Sequence, residues 1–582
     1  MVNNLHIEYS ITLLRKRLFA IIIAMAFLFL LVLGRLLYIQ VFWGKELQEK
    51  AIDQWTREIP IIASRGLITD RNGVIIASND DTYTVFVRKS AVKDEKVLKE
   101  TLSEVLSLSA DYVDGRLNKT KSSEIVVKKQ VEKEKINELL KRNLDGVYYS
   151  RDNKRLYKGD DLLSTIIGFT SNDGKGQSGL EKYYDTYLCG ENGQILYETD
   201  IIGKEIDGGK ATLIPAKSGF NLKLTIDYDI QQICESAMNE AMDVNGAKSA
   251  KIIVMNPQNG EILALSNKPS YNLNDIPRDN IEELNALSRN GLICDVYEPG
   301  STFKVLTAVA NIEEYYKGNK NAYSLSHVFS SNRYRVVDGQ RVKCWSNHAN
   351  GKHSNLNLEG ALENSCNPIF VDIATSLGKE TMYKYINLFN YGSKTGVDFS
   401  GEASGLVLPE SAVKNVDLCR ISFGQTIAVS GLQLITATSA MINGGKYYTP
   451  NFVSEVYSNE GIIIEKYEKQ PKNRVISEKT SEIIRGMLEN VVANGSGKQA
   501  YIEGYRVAGK TGTAQKYENG HIAQGKYVAS FIGFFPADKP EYIALVIVDE
   551  PDGQYYGSTV AAPLAKQVFE GIIELKKLKP SK

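Results

Sequence analysis

The longest unbroken apolar stretch lies near the start of the chain. Residues 18–33 (LFAIIIAMAFLFLLVL) carry no charge, Arg35 follows, and a second apolar run extends from Leu36 to Trp43. A bilayer-spanning helix needs about 20 such residues, and a guanidinium at Arg35 can snorkel to the surface, so the pattern predicts a spanning helix over 18–41. Arg15, Lys16 and Arg17 stand just before it, which places residues 1–17 in the cytoplasm and the remainder outside the cell membrane. A cleaved signal peptide is the alternative. No small-x-small site follows the run, and Arg35 with a further apolar segment is a poor ending for one.

Beyond the helix the pattern divides in two. Residues 45–215 alternate irregularly and are locally very charged. Val92 to Leu144 predicts charged helices with short connections, and the Lys-Glu alternation of VEKEKINELLKRN marks a solvated helix face. Thr69-Asp70-Arg71-Asn72-Gly73 predicts a hairpin turn, and Thr170 to Gly179 is loop-rich. This region reads as a pedestal. From 216 to 582 the pattern sharpens. Asn221–Asp227 is strand-like and Ile230–Met242 helix-like; Lys251–Leu265 reads as strand, turn, strand. A long, mostly helical section follows, then strand patterns at Tyr505–Ala508, Ala529–Phe535 and Tyr542–Asp549, and a helix over Thr559–Lys577. Strands at both ends with helices between predict an α+β domain, an antiparallel sheet with helices on both sides.

Composition narrows the chemistry. The chain has 582 residues, enough for two or three domains. Lys+Arg and Asp+Glu both number 69, so nothing points to nucleic acid as a partner. The six cysteines, at 189, 234, 294, 344, 366 and 419, are too sparse for a disulfide scaffold.

Three short motifs occur in order. Ser301-Thr302-Phe303-Lys304 follows Glu298-Pro299-Gly300 and precedes a helical apolar run, so Ser301 falls in the first turn with Lys304 on the same face. A desolvated lysine amine can take the proton of a serine hydroxyl, which is otherwise a weak nucleophile. Ser365-Cys366-Asn367 precedes Pro368 and a plausible helix start. Ser365 could relay a proton from Lys304, and Asn367 could hold a substrate amide. Lys510-Thr511-Gly512-Thr513 follows a strand pattern, with Lys510 and Thr511 suited to a carboxylate and Gly512 to close approach of a substrate backbone. Each motif alone is weak. Other Ser-x-x-Lys pairs occur at Ser90/Lys93 and Ser411/Lys414, Ser330-Ser331-Asn332 competes for the second motif, and Lys394-Thr395-Gly396 and Lys217-Ser218-Gly219 mimic the third. Order and context together match the penicillin-binding and beta-lactamase signature.

On these strings the chain resembles the class B penicillin-binding proteins over nearly its whole length. Arg65-Gly66 to Asp70-Arg71-Asn72-Gly73 and Gly179-Leu180-Glu181 are similar to pedestal signatures of that family. Tyr297 to Lys304, Phe423-Gly424-Gln425, Ala508 to Gln515 and Ser530 to Gly533 are similar to its catalytic strings. The stretch ahead of the pedestal reads as an anchor rather than a glycosyltransferase domain. The resemblance implies a D,D-transpeptidase in which Ser301, Lys304, Ser365, Asn367 and Lys510 are catalytic. Thr511, Gly512 and Thr513 would bind substrate, and the N–H groups of Ser301 and Thr513 would form the oxyanion hole. It implies peptidoglycan stem peptides as substrate, beta-lactams as covalent ligands, and as partners a polytopic glycosyltransferase of the shape, elongation, division and sporulation type with its divisome, elongasome or sporulation proteins. Lys343-Cys344-Trp345 and Asn364 to Pro368 look most like the sporulation- and division-type subfamily of Gram-positive spore formers. The chain stops at Lys582 without the C-terminal module that sporulation members often carry, which leaves sporulation open against a vegetative role. A carboxypeptidase, a beta-lactamase and a non-enzymatic penicillin sensor or scaffold are the rival readings.

No cofactor is required for this chemistry. Cys344, His348 and His353 nevertheless fall within ten residues, Cys366 lies inside the second motif, and His is scarce elsewhere. Cys, His and Asp suit tetrahedral zinc. The expected ligands of a structural zinc are Asp295, Cys344, His353 and Cys366, with His348 as a substitute.

Overall fold

In a computed structural model of the chain, the described residues are 11–47, 56–119, 124–198, 211–330, 332–346, 348, 351, 353–518 and 521–581. The first ten residues of the expected cytoplasmic segment and Ser331 of the competing Ser-x-Asn therefore lie outside them. The chain forms two compact units: Met1–Ile62, Tyr83–Asp152 and Asn192–Ala216 make the first, and Ala63–Thr82, Asn153–Glu191 and Lys217–Lys582 the second. The strands Ile75–Arg88 and Val147–Tyr157 each carry residues of both.

The first unit begins with a continuous helical run, Ile11–Leu47, none of whose apolar side chains is buried. At about 1.5 Å per residue it is longer than a bilayer's hydrocarbon core. Its most apolar part carries the expected span. The unit also holds a three-stranded antiparallel sheet of Thr56–Ile61, Gly193–Glu198 and Ala211–Ile214. A separate core gathers Val85, Val87, Leu98, Leu102, Leu106, Val113, Leu117, Ile125 and Val127. The helices Glu95–Leu106, Ala110–Lys119 and Lys133–Arg142 supply the expected charged elements. The first starts where Asp94 accepts hydrogen bonds from the Lys96 and Val97 N–H groups. Between them runs a strand the charge pattern concealed, Glu124–Val131, antiparallel to Tyr83–Arg88. Ile125 and Val127 face inward and alternate with the less buried Glu124, Val126 and Lys128, so period-2 burial sits under a helix-like charge run.

The second unit is built on a five-stranded antiparallel sheet: β1 (Ser249–Met255), β2 (Ile262–Lys268), β3 (Ala508–Glu518), β4 (His521–Phe535) and β5 (Tyr542–Asp549), in the spatial order β2-β1-β5-β4-β3. Side-chain alternation on β5 shows how it is sandwiched. Ala544, Val546 and Val548 pack with α1 (Tyr228–Asn245) and the C-terminal helix Ala561–Lys576. Ile543, Leu545 and Ile547 join the larger core with α2 (Lys304–Tyr316), α3 (Asn367–Leu388), α4 (Gly431–Ile442) and α5 (Glu478–Ala493). Helices thus cover both faces, as the pattern predicted. Tyr505–Val507 lies outside the strand; β3 begins at Ala508 and carries the whole Lys510-Thr511-Gly512 motif.

Two segments from early in the chain complete this unit. Ile68–Thr69 pairs parallel to Asn221–Leu224 and antiparallel to the start of Ile75–Arg88, and Asp70 Oδ1 accepts from the Asn72 and Val74 N–H groups in the expected turn. Glu181 is fully buried between two arginines, Arg65 Nε at 2.5 Å and Arg155 Nε at 2.7 Å. That ion cluster explains why Arg65-Gly66 and Gly179-Leu180-Glu181 stand out in the sequence, though 116 residues separate the partners.

Candidate active site

Each motif sits where one element ends and another starts. Gly300–Phe303 is a 3₁₀ turn running directly into α2 at Lys304. Ser301 lies on that turn and Lys304 is fully buried at its end. The turn is fixed from outside: Gly300 N–H donates to the Gly424 carbonyl at 3.0 Å, and Tyr297 and Val429 exchange backbone hydrogen bonds of 3.0 Å. Gly424 has φ 80°, and a Cβ there would lie 2.1 Å from the Gly300 oxygen, so only glycine admits this approach.

Ser365-Cys366-Asn367 joins the helix Leu358–Glu363 to α3. The Ser365 N–H reaches the Leu362 carbonyl at 3.2 Å and the Cys366 N–H the Ala361 carbonyl at 3.0 Å. This is the hydrogen-bond pattern of a Schellman helix end, and it leaves Ser365 in the left-handed region at φ 53°. The next helix starts at once, with Pro368 in its first turn. The serine hydroxyl is thereby turned inward between two lysines.

Lys304 Nζ donates to the Ser365 carbonyl at 2.8 Å, to Ser365 Oγ at 3.1 Å and to Asn367 Oδ1 at 2.6 Å. Lys510 Nζ donates to the same Ser365 Oγ at 3.1 Å and to the Thr511 carbonyl at 3.2 Å. Two cations converge on one hydroxyl in the absence of an ion-paired carboxylate among these contacts. Burial lowers Lys304 to about 8. Burial, and then the Lys304 charge, push Lys510 well below the ordinary lysine range.

Lys304 and Lys510 are fully buried behind Ser365, which with Ser301, Asn367, Thr511, Gly512 and Thr513 lines a cleft of about 610 Å³. The expected catalytic and substrate-binding residues are therefore gathered at one cleft of one unit. At Gly512 a Cβ would stand 2.4 Å from Ser530 Oγ, so the β3 backbone lies close against its neighbours there. The competing Lys394-Thr395-Gly396 is elsewhere: Thr395 donates through N–H and Oγ1 to Glu402 in a buried turn. The sequence reading missed Ser496, whose Oγ accepts from Thr511 Oγ1 at 3.3 Å, and the cleft residues Arg341, Arg420, Tyr527, Tyr555 and Tyr556. The Asp338-Gly339 dipeptide, a strong hairpin signal, could have revealed the hairpin Tyr334–Val337/Gln340–Lys343 that brings Arg341 there.

Behind the Ser365 loop, donor atoms of Cys344, His348, His353 and Cys366 all lie within 4.8 Å of one another. Asp295 does not join them. It follows the short helix Gly291–Cys294 and pairs with Arg289 Nε at 2.5 Å, and His348 takes its place. The donor set fits a tetrahedral ion. His353 Nδ1 is buried without a hydrogen-bond partner, and Cys366 Sγ stands 4.0 Å from His348 Nε2, where zinc bonds of about 2.0–2.3 Å would draw donors to roughly 3.5 Å. The Cys366 thiol hydrogen-bonds Cys344, which lowers Cys344 and raises Cys366, so the first gives up its proton readily while the second keeps its own. Trp345, next to Cys344, donates from Nε1 to the Ser365 carbonyl at 3.1 Å, linking this cluster to the catalytic loop.

A fold of this kind, with a serine, two buried lysines and a second serine meeting beneath a sheet edge, defines a serine acyl-transferase. Residues 250–570 match the penicillin-binding protein transpeptidase domain and residues 60–224 the penicillin-binding protein dimerisation domain. The chain is 37% identical over 98% of its length to stage V sporulation protein D of Bacillus subtilis, covering 87% of that protein. It is 29% identical over 97% of its length to the probable peptidoglycan D,D-transpeptidase PenA of Neisseria gonorrhoeae, covering 94% of that protein. Among solved structures, a peptidoglycan synthetase from Bifidobacterium adolescentis superposes with a TM-score of 0.72 at 24% identity, over 90% of this chain and 98% of the other. The chain belongs to the class B penicillin-binding proteins, which are serine-type D,D-transpeptidases.

Proposed function

We propose that this transpeptidase cross-links peptidoglycan through an acyl-enzyme on Ser301. Ser301 Oγ attacks the penultimate D-alanine carbonyl of a stem peptide as its proton passes to the neutral amine of Lys304, a form that burial brings within reach by lowering the pKa to about 8. The N–H groups of Ser301 and Thr513 stabilise the oxyanion. Collapse of the adduct breaks the amide bond, and D-alanine leaves with a proton relayed through Ser365 Oγ, which both lysines touch. The amine of a second stem then attacks the ester, and its proton returns by the same route. Asn367 orients Lys304 and the substrate amide, while Thr511 and the Gly512 backbone receive the donor's terminus. The four-membered ring of a beta-lactam offers the same carbonyl and leaves Ser301 acylated.

The observation that carries this reading is the shared Ser365 hydroxyl, 3.1 Å from both lysine nitrogens at the floor of a cleft lined by Ser301. Incubation of the full chain with a fluorescent penicillin, followed by digestion and mass spectrometry, tests it. The adduct is expected on the peptide holding Ser301 and is lost in Ser301→Ala; labelling that persists in that variant overturns the assignment.

The N-terminal helix anchors the chain with its first residues in the cytoplasm and the catalytic unit outside, supported by Arg15, Lys16 and Arg17 on one flank of the apolar run. Cys344, His348, His353 and Cys366 hold a structural zinc that stiffens the Ser365 loop and has no open position for chemistry. A polytopic glycosyltransferase and the sporulation or division machinery are the partners; the similarity to stage V sporulation protein D favours sporulation.

A further inference from the structure

The cleft is charged on one side only. Besides the catalytic groups its lining holds Arg341, Lys343 and Arg420 and, among the described residues, no carboxylate. These cations do not come from the strand that carries Thr511 and Thr513. Arg341 and Lys343 stand on the hairpin strand Gln340–Lys343 and Arg420 on the helix Asn415–Ile421. Hairpin and helix are one packed body. Val342 shares a small core with Val416, Cys419 and Phe423, Arg420 NH2 donates to Gln340 Oε1 at 3.0 Å, and Asn415 Nδ2 donates to Asp338 Oδ1 at 3.2 Å.

That body is also registered on the nucleophile's turn. The Arg420 carbonyl accepts from the Phe423 N–H at 3.2 Å and the Gln425 N–H at 3.0 Å, shaping the loop whose Gly424 carbonyl receives the Gly300 N–H. The arginine is thus fixed relative to Ser301 by a short chain of backbone contacts. Arg341 lies over the Tyr334 ring, 5.1 Å from its centre, which orders its side chain without neutralising it. Glu298 interacts electrostatically with Arg420 but does not line the cleft. A guanidinium facing a substrate cleft and lacking a carboxylate there is matched by a carboxylate on the substrate.

Resting on the transpeptidase reading above, we propose that Arg420, assisted by Arg341, selects an acceptor stem whose attacking amine sits on a carbon that also bears a free carboxylate. The donor's terminal carboxylate is allotted to the Thr511–Thr513 strand, so a second anion position is available for the second substrate. In an acceptor of this class the amine and carboxylate diverge from one carbon. Holding the carboxylate at the arginines therefore fixes the direction from which the amine nitrogen meets the Ser301 ester. The bond made is amide N–C, the bond broken is ester C–O, and the ammonium proton passes to the Lys304–Ser365 relay. A plain lysine-type amine, or the same acceptor with its carboxylate amidated, lacks the handle.

The full chain in detergent, acylated by a thioester donor ending in D-alanine's analogue, tests this with three acceptor tripeptides: the carboxylated diamino acid, its amide and lysine. Transfer is read against hydrolysis. The carboxylated acceptor is expected to be preferred by about tenfold or more, the worth of one charged hydrogen bond. In Arg420→Gln the preference should shrink towards unity through a raised acceptor KM, while Arg420→Lys should restore part of it. If Arg420→Gln fails to fold, Arg341→Gln should show a smaller loss of preference. Equal use of the three acceptors by the unmodified chain overturns the proposal, as does a preference that survives Arg420→Gln. A failure of the underlying reading looks different: penicillin then leaves no adduct on Ser301 and no thioester is consumed.

Discussion

At the scale of single residues the site is governed by the protonation of two buried amines. As an ammonium, Lys304 uses all three protons, on the Ser365 carbonyl, Ser365 Oγ and Asn367 Oδ1. Loss of one frees a lone pair for the incoming proton of Ser301. With Lys304 lowered to about 8 by burial, acylation kcat/KM should climb as pH rises from 6.5 and level off above about 8. A rate against pH profile measured with fluorescent penicillin checks this; a rate that falls across that range would remove Lys304 as the base. Asn367→Ala deletes the acceptor 2.6 Å from Nζ and should lower the acylation rate by about 10- to 100-fold, the loss of a hydrogen bond to a charged group. The residues proposed as catalytic were legible because their motifs keep short spacings on the chain. Arg341 and Arg420 were not, since a charged residue reads alike on a solvated helix and in a cleft until the fold turns it inward.

At the scale of elements, the second motif is a junction between two helices and the Cys/His cluster is its backing. Trp345 ties Cys344 to the Ser365 carbonyl, and Cys366 is the residue next to Ser365. Protein purified without added zinc should contain about one equivalent per chain, and chelation should lower the melting temperature and slow acylation together. Metal analysis, calorimetry and labelling rate measure the three, and a metal-free protein with full labelling would dismiss the zinc. Sequence spacing alone brought Cys344, His353 and Cys366 forward, and their donor atoms meet in the structure. It offered Asp295 because one-dimensional proximity to Ser301 says nothing of the side chain's direction, and the structure gives that carboxylate to Arg289. Strands followed the same rule. Tyr542–Asp549 was legible since both of its faces are buried and its run is continuously apolar. Glu124–Val131 was hidden because Glu124, Lys128 and Lys129 imitate the charged helices around it.

At the scale of the whole molecule, the catalytic unit is assembled from distant parts of the chain. Ala63–Thr82 and Asn153–Glu191 belong to it, locked by Glu181 between Arg65 and Arg155. Glu181→Ala leaves Arg155 buried without a carboxylate and Arg65 with Asp185 alone, and should destabilise the unit by about 3–5 kcal/mol, read as a lowered denaturant midpoint at unchanged slope. No sequence period reports a pairing across that separation; only the distinctness of the two strings hinted at it.

This assembly has a consequence for how the protein is made. Ile68, Ile76 and Ala77 share one core with Leu222 and Leu224, yet the ribosome delivers the latter some 150 residues afterwards. At about 5–20 residues per second the early segment waits roughly 8–30 s for its counterpart. During that interval its apolar face is without cover, which makes it the natural foothold for a holding chaperone and the stretch most open to degradation when synthesis stalls.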